Sequence, residues 1–78
     1  MKVYQHFKGG IYLKLYEGMH TETEEICVVY VCASSGDVFI RPKEMFYENV
    51  ERGSYRGPRF IEVPYIKSKD VRKQLKIL

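Results

Sequence analysis

The chain contains no tryptophan, two cysteines and three prolines, and it has no long hydrophobic run. A membrane-crossing helix needs ~20 consecutive apolar residues, whereas the longest apolar run begins at Ile26 and is broken at Ser34. Residues 1–8 lack the apolar stretch of a signal peptide, so a cytoplasmic location with no membrane partner is the expectation. Cys27 and Cys32 fall in one strand-like run. Five residues of strand separate their Cα atoms by about 16 Å, and a disulfide needs less than about 7 Å. Their odd spacing also points the two thiols to opposite faces, so they do not form half of a zinc site. They read as two small apolar residues in a reducing compartment.

Basic excess is missing as well, once the formal charge of +3 is divided along the chain. Residues 1–66 carry eight Lys/Arg against nine Asp/Glu, a net −1, and residues 67–78 carry five against one, a net +4. The body therefore has no electrostatic footprint for nucleic acid. A second core is excluded by length: a chain of 78 residues buries only about 60% of its unfolded surface. One core of that size contributes a few kcal/mol. With neither disulfide nor metal to add to it, self-association is the expected support.

What is present is β-pattern. Ile11, Leu13 and Leu15 alternate with Tyr12, Lys14 and Tyr16, the period of a half-buried strand. Gly9 and Gly10 mark its start and Gly18 its end. His20 to Glu25 is too charged for core and reads as a loop or hairpin tip. Ile26 to Cys32 reads as a central strand covered on both faces. Ser34-Ser35-Gly36-Asp37 signals a turn before a short strand at Val38-Phe39-Ile40. Pro42 stops that strand and suits the first position of a helical turn that returns Met45 and Phe46 to the core. Brief strands at Phe46–Val50 and Arg59–Val63 flank a turn-rich stretch. Five short strands in some sixty residues predict a small bent barrel. From Ser68 the period becomes helical: Val71, Leu75 and Leu78 recur at i, i+4, i+7, with Lys and Arg opposite. The expected division is a β-domain over 1–66 and a basic amphipathic helix over 67–78.

Several separated motifs occur in one order: Tyr4-x-His6-Phe7-Lys8-Gly9, Tyr12, His20-Thr21-Glu22-Thr23, Val28-Val29-Tyr30, Arg41-Pro42-x-Glu44-Met45-Phe46 and Pro58-Arg59-Phe60. In this order they resemble the bacterial and phage family known as domain of unknown function 1653, over residues 4–62. A tryptophan often precedes the Arg-Pro pair in that family, and Phe39 is the corresponding aromatic here. The resemblance implies no activity. The run from Gly36 through Val50 is similar to the ending of SH3 domains, so the expected fold is mainly β, a five-stranded SH3-like barrel with one helical turn and a C-terminal α-helix.

No nucleophile elbow, Walker spacing or His-Glu-x-x-His pair is present, and those chemistries need those spacings. The expectation is a protein that is not an enzyme and has no cofactor. Lys8 and the amides of Gly9 and Gly10, beside His6, could build one wall of an anion site, or a plain turn. His20 and Glu22 share one side of an extended loop, where they pair or bind a ligand together, unless this is a plain surface loop or His20 caps it through backbone bonds. Metal binding by His6, His20 and Glu22 has no supporting spacing. Arg41, just before Pro42, presents a fork of donors to a ligand carboxylate or phosphate, or else locks Glu44 or a loop carboxylate of the domain itself. Candidate ligand-binding residues are thus His6, Lys8, Gly9, Gly10, His20, Glu22, Arg41 and Glu44. Tyr12, Tyr16, Val71, Leu75 and Leu78 are candidates for an interaction surface, tyrosine being favoured at interfaces.

Three functions compete. The first is a non-catalytic binding module for a small anionic or nucleotide-like ligand. The second is a protein-interaction or assembly module, a phage inhibitor of a host protein being one biological version. The third, nucleic-acid binding through the basic tail with aromatic stacking, is the least favoured because the body is acidic.

Overall fold

A computed structural model describes residues 2–63. Seven strands and one helical turn follow in order: β1 (Lys2–His6), β2 (Ile11–Met19), β3 (Ile26–Cys32), β4 (Val38–Pro42), α1 (Lys43–Phe46), β5 (Asn49–Arg52), β6 (Tyr55–Pro58) and β7 (Phe60–Glu62). The first four strands and β7 form one antiparallel sheet in the order β4-β3-β2-β1-β7, and β5 pairs only with β6. The expected five-stranded barrel is thereby corrected: no closed barrel is found among the described residues. The reason is local. Gly53, with φ 58°, takes the left-handed conformation that glycine adopts without a steric penalty. It turns the supposed turn-rich stretch into a hairpin, and the strand that would have closed the barrel pairs within that hairpin. β3 is the expected interior strand, paired with β2 and β4 and buried on both faces, although β2 is the middle strand of the five. The predicted C-terminal helix over 67–78 lies outside the described residues.

The alternation of β2 is interrupted by an irregularity between Lys14 and Tyr16. One extra residue on one strand shifts every following side chain to the other face. Tyr12 and Lys14 thus share the face of Tyr30, their partner row on β3, whereas Tyr16 pairs with Val29 on the rear. The same shift brings Glu17 to the side of Lys14, where Lys14 Nζ donates to Glu17 Oε2 at 2.6 Å. Two strand residues three apart would otherwise point in opposite directions.

The front face carries the core: Tyr4, Val28, Tyr30, Phe46 and Phe60. Phe46 and Val28 are wholly buried. α1 exists to deliver Phe46. Pro42 precedes it, Glu44 lies in its first turn, and Tyr47 N–H closes on Lys43 O at 3.1 Å. Only Phe46 reaches the core, and Met45, expected to fold back with it, is exposed. Phe46 stacks on Phe60 with centroids 4.2 Å apart and meets Tyr4 and Tyr30 edge-on at 5.2 Å. These are the offset and edge geometries that aromatic quadrupoles favour. Lys14 ties α1 to β2: besides Glu17 it donates to Tyr47 Oη at 2.9 Å, and Lys43 pairs with the other oxygen of Glu17 at 3.0 Å.

Candidate binding site

Above this core the front face opens into a pocket of about 120 Å³ lined by His6, Tyr12, Tyr30, Phe39, Arg41 and Phe60. Every strand of the five-stranded sheet contributes, because register places these side chains on adjoining rows. Tyr30 pairs with Phe39, His6 with Phe60, and Arg41 stands opposite Val28. The rings brace one another. Tyr12 meets Phe60 at 5.6 Å and 89°, His6 meets Phe60 at 5.0 Å and 77°, and Tyr30 lies 5.7 Å from Phe39. An apolar cavity of ~150 Å³ accepts benzene, so this pocket is on the scale of one planar ring.

Arg41 is half-buried. Its Nε donates to Tyr30 Oη at 3.1 Å, which orients the guanidinium and leaves its two terminal amino groups for other acceptors. Among the described residues Arg41 has no ion pair. The other arginine of this region differs: Arg59 pairs with Glu48 through Nη2 and donates through Nε to Met45 O at 3.2 Å. Arg59 fastens the β5–β6 hairpin to α1, and Arg41 faces the pocket.

His6 accepts the Lys8 N–H at Nδ1, 3.1 Å away, so the proton of its neutral ring sits on Nε2. Burial holds its pKa below the ordinary 6.5, and the positive charges of Arg59, Arg41 and Lys8 add to that. Burial chiefly raises the pKa of Tyr12, which keeps its hydroxyl a donor. The pocket therefore combines aromatic walls, neutral donors and one positive charge.

The structure brings His6, Tyr12 and Arg41 together and separates the other candidates. Lys8 is exposed, with Nζ 5.9 Å from the Phe7 ring. The Gly9 N–H is spent on His6 O at 2.7 Å, closing the turn that Gly9, at φ 106°, makes sterically easy. Gly10 accepts the His6 N–H through its carbonyl. His20 lies in the β2–β3 loop and accepts the N–H groups of Glu22 and Thr23 at Nδ1, each at 3.3 Å. Glu22 thus meets His20 through its backbone. Glu44 is exposed and lines a separate hollow with Glu24, Glu25 and Lys43. Tyr16 is on the rear face, and Val71, Leu75 and Leu78 lie outside the described residues. Phe39, Tyr30 and Phe60 also line the pocket, and the sequence does not single them out, since aromatics in strands read as core until the register is known. Both cysteines are free thiols; Cys32 accepts help from the Ser34 and Ser35 hydroxyls, which bring its pKa down to about 7.

The bonds of His20 are to exposed amides, so His20→Ala is expected to cost roughly 0.5–1.5 kcal/mol, read as a lowered urea midpoint. Chemical shifts of Tyr12 and Phe39 should stay where they are.

The family model described as a protein of unknown function (DUF1653) matches residues 2–62. No curated protein matches the chain. A crystal structure of a DUF1653 protein from Bordetella bronchiseptica is similar, with 34% identity and a TM-score of 0.71 over 78% of this chain and 82% of that one.

Proposed function

The chain belongs to the DUF1653 family of proteins of unknown function, and we propose that it is a non-catalytic binding module whose front pocket takes a small planar anion. The acidic ring or head of a nucleotide-like molecule is one form of that ligand. The observation that carries this reading is Arg41, set in an aromatic box without a carboxylate partner among the described residues.

The sign of the charge decides between the two things aromatic boxes bind. Rings alone attract cations over their faces. Here a guanidinium lines the wall, and Arg59 and Lys8 add to the positive field felt by His6. A cation would be repelled. A flat anion can lie between the rings and accept from the Arg41 fork, a geometry that guanidinium favours. Two free thiols fit a reducing cytoplasm.

The test uses benzoate as the planar anion, benzylamine as its cationic counterpart and phosphate as an anion without a ring. Benzoate is expected to move the NMR signals of Arg41, Tyr12 and His6 and to stabilise the fold, by about 2.7 kcal/mol at 100 times its Kd. Benzylamine should do neither. The reading is overturned if benzylamine binds at the pocket and benzoate does not.

A pH dependence follows. In the free protein His6 titrates below 6.5, so the folded state holds fewer protons than the unfolded one and loses stability as pH falls below that value. A bound anion opposes the field of Arg41 and Arg59 and raises the His6 pKa. By linkage, benzoate binding then tightens as pH falls from 7.5 to 5.5, where benzoate stays ionised. A neutral ring of the same shape should show the opposite trend or none.

A further inference from the structure

The rear of the sheet is as apolar as the front. In an antiparallel sheet with one face in water, outward positions are polar. Here Val3, Leu13, Val31 and Val38 make a row across four strands, and Tyr16, Val29 and Ile40 make the next. Leu13 and Val31 are buried, but Tyr16, Val38 and Ile40 are exposed at 72%, 58% and 68%. Beside the second row lies a groove of about 280 Å³, lined by Met19, Cys27, Val29 and Ile40 and ended by His20 and Thr21.

We infer that residues 64–78 of this same chain cover that face, packing as an amphipathic helix with Val71, Leu75 and Leu78 over the groove. Direction is the first reason. β7 is antiparallel to β1 and so runs parallel to β2. It ends level with Val3, where Val63 N–H donates to Val3 O at 2.8 Å. From that level β2 continues through Tyr16 to Met19, so the chain leaves β7 heading for the end of the sheet that holds the groove.

Reach is the second. Three strand spacings from β7 to β3 amount to ~14 Å. Residues 64–67 span up to ~13 Å if extended, and eleven helical residues from Ser68 add ~16 Å. Charge is the third. The groove ends at the loop carrying Glu22, Glu24 and Glu25, in a body of net −1, and residues 67–78 carry +4. A helix lying on its Val71–Leu75–Leu78 stripe would turn its lysines to water and toward that acidic loop. A helix this short also needs a surface to lie on.

The test is methyl NMR on the full chain. Contacts from Leu75 and Leu78 methyls to Val29 and Ile40 are expected in a uniformly labelled sample and absent between labelled and unlabelled copies in a mixed one. Contacts found only between copies would assign the face to a second molecule and overturn the inference, as would no contacts at all. A second variant reports independently. Leu75→Asp lies beyond the sheet, so the sheet should stay folded while Val29 and Ile40 signals move and amides of 68–78 exchange at least tenfold faster. Signals of Val29 and Ile40 that stay in place in that variant would also sink it.

Discussion

Phe46→Ala is expected to leave the domain mostly unfolded at 25 °C. Phe46 is wholly buried and is the ring around which the front core is arranged, stacked on Phe60 and met edge-on by Tyr4, Tyr30 and Tyr47. Truncating such a ring removes its burial and leaves a cavity, at a cost of about 3–5 kcal/mol. A single core in a chain this small rarely supplies more than ~3–5 kcal/mol of net stability. The substitution therefore consumes most of what is available. Met45, its neighbour in α1, is exposed, and Met45→Ala should change stability by less than about 0.5 kcal/mol. Urea unfolding followed by near-ultraviolet circular dichroism measures both. A Phe46→Ala protein that kept its aromatic signal with less than ~1 kcal/mol lost would place the centre of the core elsewhere.

α1 itself was legible in the sequence: Pro42 followed by Lys-Glu-Met-Phe carries both the stop for a strand and the start of a turn. So were the strand alternation from Ile11, the loop from His20 to Glu25, and the family, whose motifs are local and ordered. Those signals are encoded within a few residues. Closure of the sheet was not legible, because it depends on whether Asn49–Arg52 pairs with the sheet or with Tyr55–Pro58, and Gly53 decides that through one backbone angle. The bulge at Leu15 was equally hidden. Simple alternation put Tyr12, Lys14 and Tyr16 on one face, and the extra residue sends Tyr16 to the rear. The pocket joins His6 to Phe60 through pairing of β1 with β7, a contact across nearly the whole described chain. Arg41 stood out because a proline follows it; Tyr30 and Phe39 did not, because the same residue types fill cores.

Arg41→Met is expected to abolish most anion affinity while the domain stays folded. Methionine keeps much of the apolar stem that packs along the sheet and removes the guanidinium. The half-buried side chain then no longer donates to Tyr30 Oη, a loss of ~1 kcal/mol in stability. Binding loses more, since hydrogen bonds to a charged group are worth ~1.5–3 kcal/mol, a fall of roughly 10- to 150-fold in benzoate affinity. Arg41→Lys separates charge from geometry: it restores the positive charge but has neither the planar fork nor an Nε for Tyr30, and should fall between the two. Arg59→Met supplies the opposite pattern. Its guanidinium is engaged by Glu48 and Met45 O, so its removal should lower the urea midpoint and weaken benzoate only through the field it adds at His6, by clearly less than Arg41→Met does. Calorimetric titration of the four proteins reads all of this. Equal affinity in Arg41→Met and the parent would remove the anion from this pocket.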